Sequence, residues 1–170
     1  WVYSGVPTEY NHRKLLFTDG YSIENDIYRD GNLEQLLYEE EKRKFKHELC
    51  SIIGWFSFCI AKFSKGEEVK IAVHPNRILD SSGCVCDEFC RDSGFTGPAE
   101  PFYAETLANY KKLLRGKTLL QLLIRHLSYS SRAVKHSKVQ LIEYATAGKG
   151  THYCEVHSKI EEFFAAEVCS

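Results

Sequence analysis

Helical periodicity dominates the pattern of apolar and polar residues in the middle of the chain. Apolar residues recur every three or four positions from Leu33 to Phe63, and Glu39 to Lys44 form a charged face. This spacing predicts one long amphipathic helix, or two helices that meet near Gly54. Three further helices are predicted, from Phe102 to about Leu114, from Thr118 to Tyr129 and from about Val156 to Val168.

Two short segments have the pattern of β-strands. Residues 14–18 form an apolar run between turn-forming residues, and residues 67–73 alternate sufficiently for a strand that His74-Pro75 closes. Between them, Asp19-Gly20 indicates a turn, and Ser22 is placed to cap a short helix that runs to about Tyr28. Residues 81–101 are the least regular part of the chain, and the pattern of residues 139–151 is ambiguous.

The order of these elements predicts an α/β fold. Residues 1–74 are expected to form the end of a parallel-sheet unit together with a long helix, and residues 75–170 a mostly helical extension. Because active sites of α/β sheets gather where strands end, the segment that follows the first strand is of most interest.

The composition restricts the classes of function. The chain has 170 residues, and its 22 basic side chains nearly balance its 23 acidic ones. Bulk charge therefore does not indicate binding to nucleic acid or membranes, and any anion site must be local. The longest apolar stretch, residues 52–63, is shorter than the roughly 20 residues that cross a bilayer, so no membrane span is expected. Seven cysteines, an odd number, favour a cytoplasmic location.

Three carboxylates follow the first predicted strand, on Asp19, Glu24 and Asp26. Magnesium prefers oxygen ligands and usually takes one or two carboxylates, while phosphates and water complete its coordination. Glu24 is the best candidate ligand of the three. Spacing alone favours a structural explanation of the same residues, with Asp19 in a turn, Ser22 as a cap and Glu24 complementing the helix dipole in the first turn.

The stretch from Phe17 to Asn25, which reads FTDGYSIEN, resembles the third acidic motif of TOPRIM-type nucleases. It is similar to the branch of the overcoming-lysogenization-defect nucleases and to the TOPRIM effectors of anti-phage systems that pair with an ABC-type ATPase. A second stretch, Leu114 to Leu120, is similar to the Gly-Lys followed by leucines that these proteins carry downstream.

The resemblance implies a metal-dependent phosphodiesterase that cleaves RNA or DNA with Mg²⁺ or Mn²⁺. Glu24 matches the late glutamate of the family, and Asp19 and Asp26 would assist through metal-bound water. The family's first glutamate and its Asp-x-Asp pair have no counterpart here and would lie before Trp1, which fits a start that lacks an initiator Met. An ATPase partner and a homodimer are further implications of the resemblance.

Lys117 is the second candidate for the active site. It follows Gly116 at the predicted start of a helix, where backbone N–H groups and the helix dipole favour an anion. Residues 111–138 are also rich in Lys and Arg and include Tyr110 and Tyr129, a combination that suits a phosphate backbone and unpaired bases. A solvated helix face explains the same charges. A P-loop is excluded, because Lys111 stands where Walker A requires a glycine.

Two other functions compete with the nuclease. Cys84, Cys86 and Cys90 suggest a zinc site, although Cys-x-Cys is tighter than the usual spacing and no second pair follows. The apolar face from Trp55 to Phe63, together with the C-terminal helix, suggests an interaction module that docks a partner protein without chemistry of its own.

Overall fold

The computed structural model describes Thr18 and residues 20–129, 131–148 and 150–168, with side chains to residue 165. Nine α-helices and a 3₁₀ turn are found in these residues. The helices are α1 (Ile23–Asp30), α2 (Glu39–Ser64), α3 (Pro75–Ile78), α4 (Asp87–Ser93), α5 (Phe102–Ala108), α6 (Tyr110–Leu113), α7 (Gly116–Leu127), α8 (Lys138–Ala147) and α9 (Thr151–Val168), and the 3₁₀ turn is Leu33–Leu36.

The α/β prediction is wrong, because the described residues contain no strand and no sheet. The extended pattern of residues 67–73 has a different cause. Val69, Ile71 and Val73 pack against the core, so alternate side chains of an extended segment are partly buried without a neighbouring strand. The one β-bridge found in the described residues joins Leu79 to Val85. Of the other predicted strand, residues 14–17 lie outside the described residues.

Helix α2 is the centre of the core. It is 26 residues long, and its buried face includes Phe45, Ile52, Ile53, Trp55 and Phe56. The leucines of α7 complete the core from the other side, and α2 also packs along α5. The long periodic segment is therefore one helix preceded by a 3₁₀ turn, and the two separate at Leu37 and Tyr38 rather than at Gly54.

Gly54 lies within α2 because another segment crosses it closely. A Cβ atom at this position would lie 3.2 Å from Cγ of Pro98. One turn further on, Ser57 donates a hydrogen bond to the Gly54 carbonyl at 2.7 Å and accepts one from the Ala99 N–H at 3.1 Å. The glycine therefore accommodates the loop that leads to α5 instead of breaking the helix.

The remaining helix predictions agree in position but differ at the ends. The helix predicted from Ser22 is present as α1, and α7 begins at Gly116, two residues before the predicted Thr118. The helix predicted from Phe102 to about Leu114 is divided into α5 and α6 at Asn109. Residues 139–151, ambiguous in sequence, form most of α8 and the start of α9, which begins five residues before the predicted Val156. No helix in the described part of the chain is long and apolar enough to cross a membrane.

A buried charged cluster joins α2 to α7. The Glu48 carboxylate lies 3.0 Å from Nε2 of His126 and 3.2 Å from Nε of Arg125. His126 is fully buried. Arg125 also donates a hydrogen bond of 2.8 Å to the side-chain oxygen of Asn76. Burial raises the pKa of Glu48, but the hydrogen bond and charge of His126, together with Arg125, outweigh it and lower the pKa below its usual value.

We expect Glu48→Ala to lower the free energy of unfolding by about 3 to 5 kcal/mol, because removing one partner leaves buried polar groups of the other two uncompensated. Glu143→Ala, at an exposed position in the middle of α8, should change it by less than about 0.5 kcal/mol. Urea denaturation of the three proteins measures both effects.

The loss of unfolding free energy caused by Glu48→Ala should also depend on pH. Because the folded pKa of Glu48 lies below the unfolded value, its charge stabilises the fold above about pH 4.3, and this contribution disappears as the pH falls through the folded pKa. The difference between wild type and variant should therefore narrow towards pH 3. If wild type and Glu48→Ala differed in unfolding free energy by the same amount at pH 7 and pH 3, the proposed role of the Glu48 charge would be contradicted.

Candidate functional site

The two segments that resemble the nuclease family lie against each other. Tyr21, just before α1, donates its backbone N–H to the Lys112 carbonyl at 3.0 Å. Asn25, in the first turn of α1, donates from Nδ2 to the Leu114 carbonyl at 2.8 Å, across 89 residues of sequence. We call this contact between residues 20–25 and 111–116 the motif junction.

Asn25 holds the motif junction together through every polar atom of its side chain. Its Nδ2 group donates to the carbonyls of Lys111, at 3.0 Å, and Leu114. Its Oδ1 accepts from the backbone N–H and the hydroxyl of Ser22, at 2.9 and 3.2 Å. Because the residue is fully buried, these four bonds replace all the water that the amide would otherwise bind.

Gly116 allows the two segments to approach closely. A Cβ atom at Gly116 would lie 2.6 Å from both Oδ1 of Asn25 and Oγ of Ser22, and 2.8 Å from the Asn25 backbone nitrogen. Gly20 meets the same side chain, with a virtual Cβ 2.6 Å from Cβ of Asn25. The glycines of both segments are therefore required by the same asparagine.

Glu24 lies beside the motif junction in the first turn of α1. It is 7% exposed, and its nearest cation among the described residues is Lys138 of α8, whose Nζ lies 3.9 Å from Oε1. No hydrogen bond to the carboxylate is formed within the described part of the chain. Since a nearly buried carboxylate without close donors is costly, Glu24 is suited to contact a cation.

The structure does not bring Asp26 into one site with Glu24. Asp26 lies about 160° away around the axis of α1, because successive residues of a helix turn by about 100°. It lines an apolar cavity of about 170 Å³ that α1 forms with α8 and α9. Asp19 lies outside the described residues, and the described ones hold no group of three His, Cys, Asp or Glu side chains suited to a metal ion.

Lys117 is exposed in the first turn of α7, directly after Gly116. The motif junction therefore brings it to the same end of the molecule as the first turn of α1. The ammonium group reaches solvent from a helix start, as expected of a group that contacts phosphate.

Part of the predicted basic surface is used inside the fold. Arg125 belongs to the Glu48 cluster, and Lys111 pairs with Glu34 at 3.3 Å. Arg132 is 7% exposed, pairs with Glu41 at 2.6 Å and stacks on the Tyr38 ring at 4.4 Å. The lysines that face solvent include Lys112, Lys117, Lys135 and Lys138.

Two clusters of polar residues carry no signal in the sequence. Glu34 accepts hydrogen bonds from the hydroxyls of Tyr28 and Tyr110, and burial followed by the Glu34 charge raises the pKa of Tyr28 well above its usual value. Asp30 caps α9 by accepting from the N–H groups of His152 and Tyr153, at 3.2 and 2.8 Å. Tyr110 is 76 residues from Glu34, and His152 is 122 residues from Asp30, so spacing could not identify either cluster.

The three cysteines of the zinc hypothesis face different partners. Sγ of Cys86 accepts the N–H of Phe89 and caps α4, and Cys90 donates to the Val85 carbonyl. Cys84 instead contacts His47, with 3.7 Å between Sγ and Nε2. The thiols therefore do not converge on one point.

Comparison with protein-family models, with curated proteins and with solved structures finds no match to this chain. The description of the site therefore depends on its own residues and geometry.

We expect Asn25→Asp to destabilise the protein by about 2 to 4 kcal/mol, because carboxylate oxygens would replace the two N–H donors that face the carbonyls of Lys111 and Leu114. An acidic side chain in the first turn of a helix is favourable, but it offsets at most about 1 kcal/mol of this loss of stability. Asn109→Asp, at an exposed position, is the matched control. Equal melting temperatures for the two variants would contradict the proposed role of Asn25.

We expect Gly116→Ala to destabilise the protein by about 1 to 3 kcal/mol, because the added methyl group overlaps atoms of Ser22 and the backbone of Asn25. Gly148→Ala should be tolerated, since its virtual Cβ lies no closer than 3.5 Å to any other group. Thermal unfolding of both variants measures the difference. A tolerated Gly116→Ala would show that the two segments are less closely packed.

Proposed function

We propose that the chain contributes Glu24 to the metal site of a nuclease that hydrolyses phosphodiester bonds in RNA or DNA with Mg²⁺ or Mn²⁺. The observation that carries the proposal is the motif junction. Two short segments resemble the same family, and 89 residues of sequence separate Asn25 from Leu114, yet the two residues are hydrogen-bonded to each other. If either similarity were due to chance, there would be no reason for the two segments to contact each other.

The environment of Glu24 supports its role as a ligand. The carboxylate is nearly buried, lacks a close hydrogen-bond donor and lies 3.9 Å from the ammonium of Lys138. A divalent cation would compensate the negative charge more fully than this long contact does. One carboxylate does not complete a metal site, so the proposal requires additional ligands from outside the described residues.

The surface around Glu24 supports a substrate that carries phosphate. Lys138 is half-exposed beside the carboxylate, and Lys117 lies at the start of α7 next to the motif junction. In the proposed mechanism Glu24 would hold the metal, which would supply an activated water and charge neutralisation at the phosphate, and the two lysines would contact phosphate oxygens as point charges. Lys112 and Lys135 extend the positive surface for the remaining backbone.

A second candidate function is docking of a partner protein, for which the ABC-type ATPase implied by the family resemblance is the proposed partner. The predicted face of α2 does not serve this purpose, because Trp55, Phe56 and Cys59 are buried in the core. Helix α9 favours docking instead, since Tyr153, Ile160 and Phe164 are 41, 41 and 60% exposed.

We expect Glu24→Gln to reduce cleavage by the full-length protein at least about 100-fold, because even groups that only orient metal ligands contribute up to this much. Glu143→Gln, which removes the same charge from an exposed position of α8, should leave cleavage unchanged. A nuclease assay with Mg²⁺ or Mn²⁺ on single-stranded RNA and DNA provides the measurement.

Metal binding distinguishes loss of a ligand from loss of the fold. Mn²⁺ should raise the melting temperature of wild type and of Glu143→Gln, but have a smaller effect on Glu24→Gln, because a ligand stabilises the state that binds it. Unchanged cleavage by Glu24→Gln would refute the assignment. If the chain docks a partner without catalysis, wild type should not cleave either substrate. The immobilised protein should then still bind the ATPase.

A further inference from the structure

The turn between Leu79 and Val85 is fixed by its own hydrogen bonds. The Asp80 N–H donates to the Cys84 carbonyl at 2.9 Å, next to the bridge of Leu79 with Val85. The Asp80 carboxylate accepts from the backbone N–H groups of Ser82 and Cys84 at 2.8 and 3.1 Å. These bonds define where the Cys84 side chain can lie.

The same turn is seated on helix α2. Gly83 has a φ of +87°, and a Cβ there would lie 2.9 Å from Cγ of Glu48 and 3.0 Å from Cδ2 of His47. Arg125 adds a hydrogen bond of 3.4 Å to the Asp80 carbonyl. The turn therefore lies directly on the side chains of α2, and no other residue type fits easily at Gly83.

This packing places a thiol beside an imidazole at the surface. Sγ of Cys84 lies 3.7 Å from Nε2 of His47, and both residues are exposed. A nucleophile in contact with a base, both held by a fixed backbone, is the arrangement that activates cysteine. The imidazole can accept the thiol proton while the sulfur remains open to a reagent from solvent.

Four other thiols of the described residues differ from Cys84. Burial raises the pKa of Cys59 to about 11. Cys86 caps α4, and burial, followed by the charge of Asp87, raises the pKa of Cys90. Cys50 is exposed on α2, one turn after His47, and contacts the hydroxyl of Tyr103 rather than an imidazole.

We propose that Cys84, with His47 as its base, is a site of reversible S-thiolation by small-molecule disulfides. Nε2 of His47 accepts the thiol proton, and Sγ attacks one sulfur of the disulfide. The sulfur–sulfur bond of the reagent breaks, a mixed disulfide forms at Cys84, and the departing thiolate takes the proton from His47. One small thiol is released, and no other oxidant is required. The site shares no residue with the motif junction, so it does not depend on the proposed nuclease.

The test treats the reduced full chain with glutathione disulfide and follows each cysteine by peptide mass spectrometry. Cys84 should be modified at least about 10-fold faster than Cys50, because general-base assistance contributes a factor of this order or more. His47→Gln should remove most of this advantage, whereas His157→Gln, on the exposed face of α9, should retain it. The rate at Cys50 in each variant reports whether the fold around α2 is intact.

Two results would overturn the proposal. One is equal modification of Cys84 and Cys50 in the wild-type chain. The other is an unchanged rate at Cys84 in His47→Gln while Cys50 reacts as before, which would exclude the imidazole as the base. Treatment with excess reduced thiol should release the added mass from Cys84, and its persistence would contradict a mixed disulfide.

Discussion

The buried amide of Asn25 is the interaction on which the arrangement of α1 depends. Its four hydrogen bonds fix both the helix start, through Ser22, and the position of the chain between α6 and α7. An amide is needed because one end must accept from N–H and O–H groups while the other donates to two carbonyls. Neither aspartate nor leucine has this combination. Gly20 and Gly116 are then required by the space that the amide and its neighbours occupy.

A second interaction joins the other end of α7 to α2. Glu48 connects His126 and Arg125, and Arg125 extends the connection to Asn76 and the Asp80 carbonyl. The short segments around α3 have little regular structure of their own, and Arg125 contributes to their position together with the buried side chains of Ile78 and Leu79. The Cys84 turn is therefore joined to the interior charged cluster through Arg125, in addition to its own hydrogen bonds.

The sequence predicted the helical parts of the fold better than their assembly. The periodicity from Leu33 to Phe63 is a strong helical signal, and α2 confirms it. The alternation of residues 67–73 was misleading, because period-two burial arises whenever an extended segment crosses an apolar helix, whether or not a second strand is present. The local pattern of apolar residues indicates which side chains are buried, but it does not identify the part of the chain that packs on them.

The candidate site was predictable only in part, for a related reason. The motif that contains Glu24 could be found by resemblance, but the hydrogen bonds that place it beside Leu114 join residues far apart in sequence. The predicted basic region illustrates the same limit. Arg125 and Arg132 looked like surface cations, yet each pairs with a glutamate of α2, at Glu48 and Glu41. Charge in a sequence does not show which cations are neutralised within the fold.

The burial of Glu24 follows from the orientation of α1. Residues four apart share a face of a helix, and Tyr28 is held in the core by packing and by its hydrogen bond to Glu34. With Asn25 and Tyr28 both fixed, α1 cannot rotate to bring Glu24 into solvent. Its charge must be compensated where it is, and Lys138 at 3.9 Å is half-exposed and strongly hydrated. Within the described residues the helix thus presents a carboxylate that has only this lysine as an ion-pair partner, which is the reason that the proposed metal site includes Glu24.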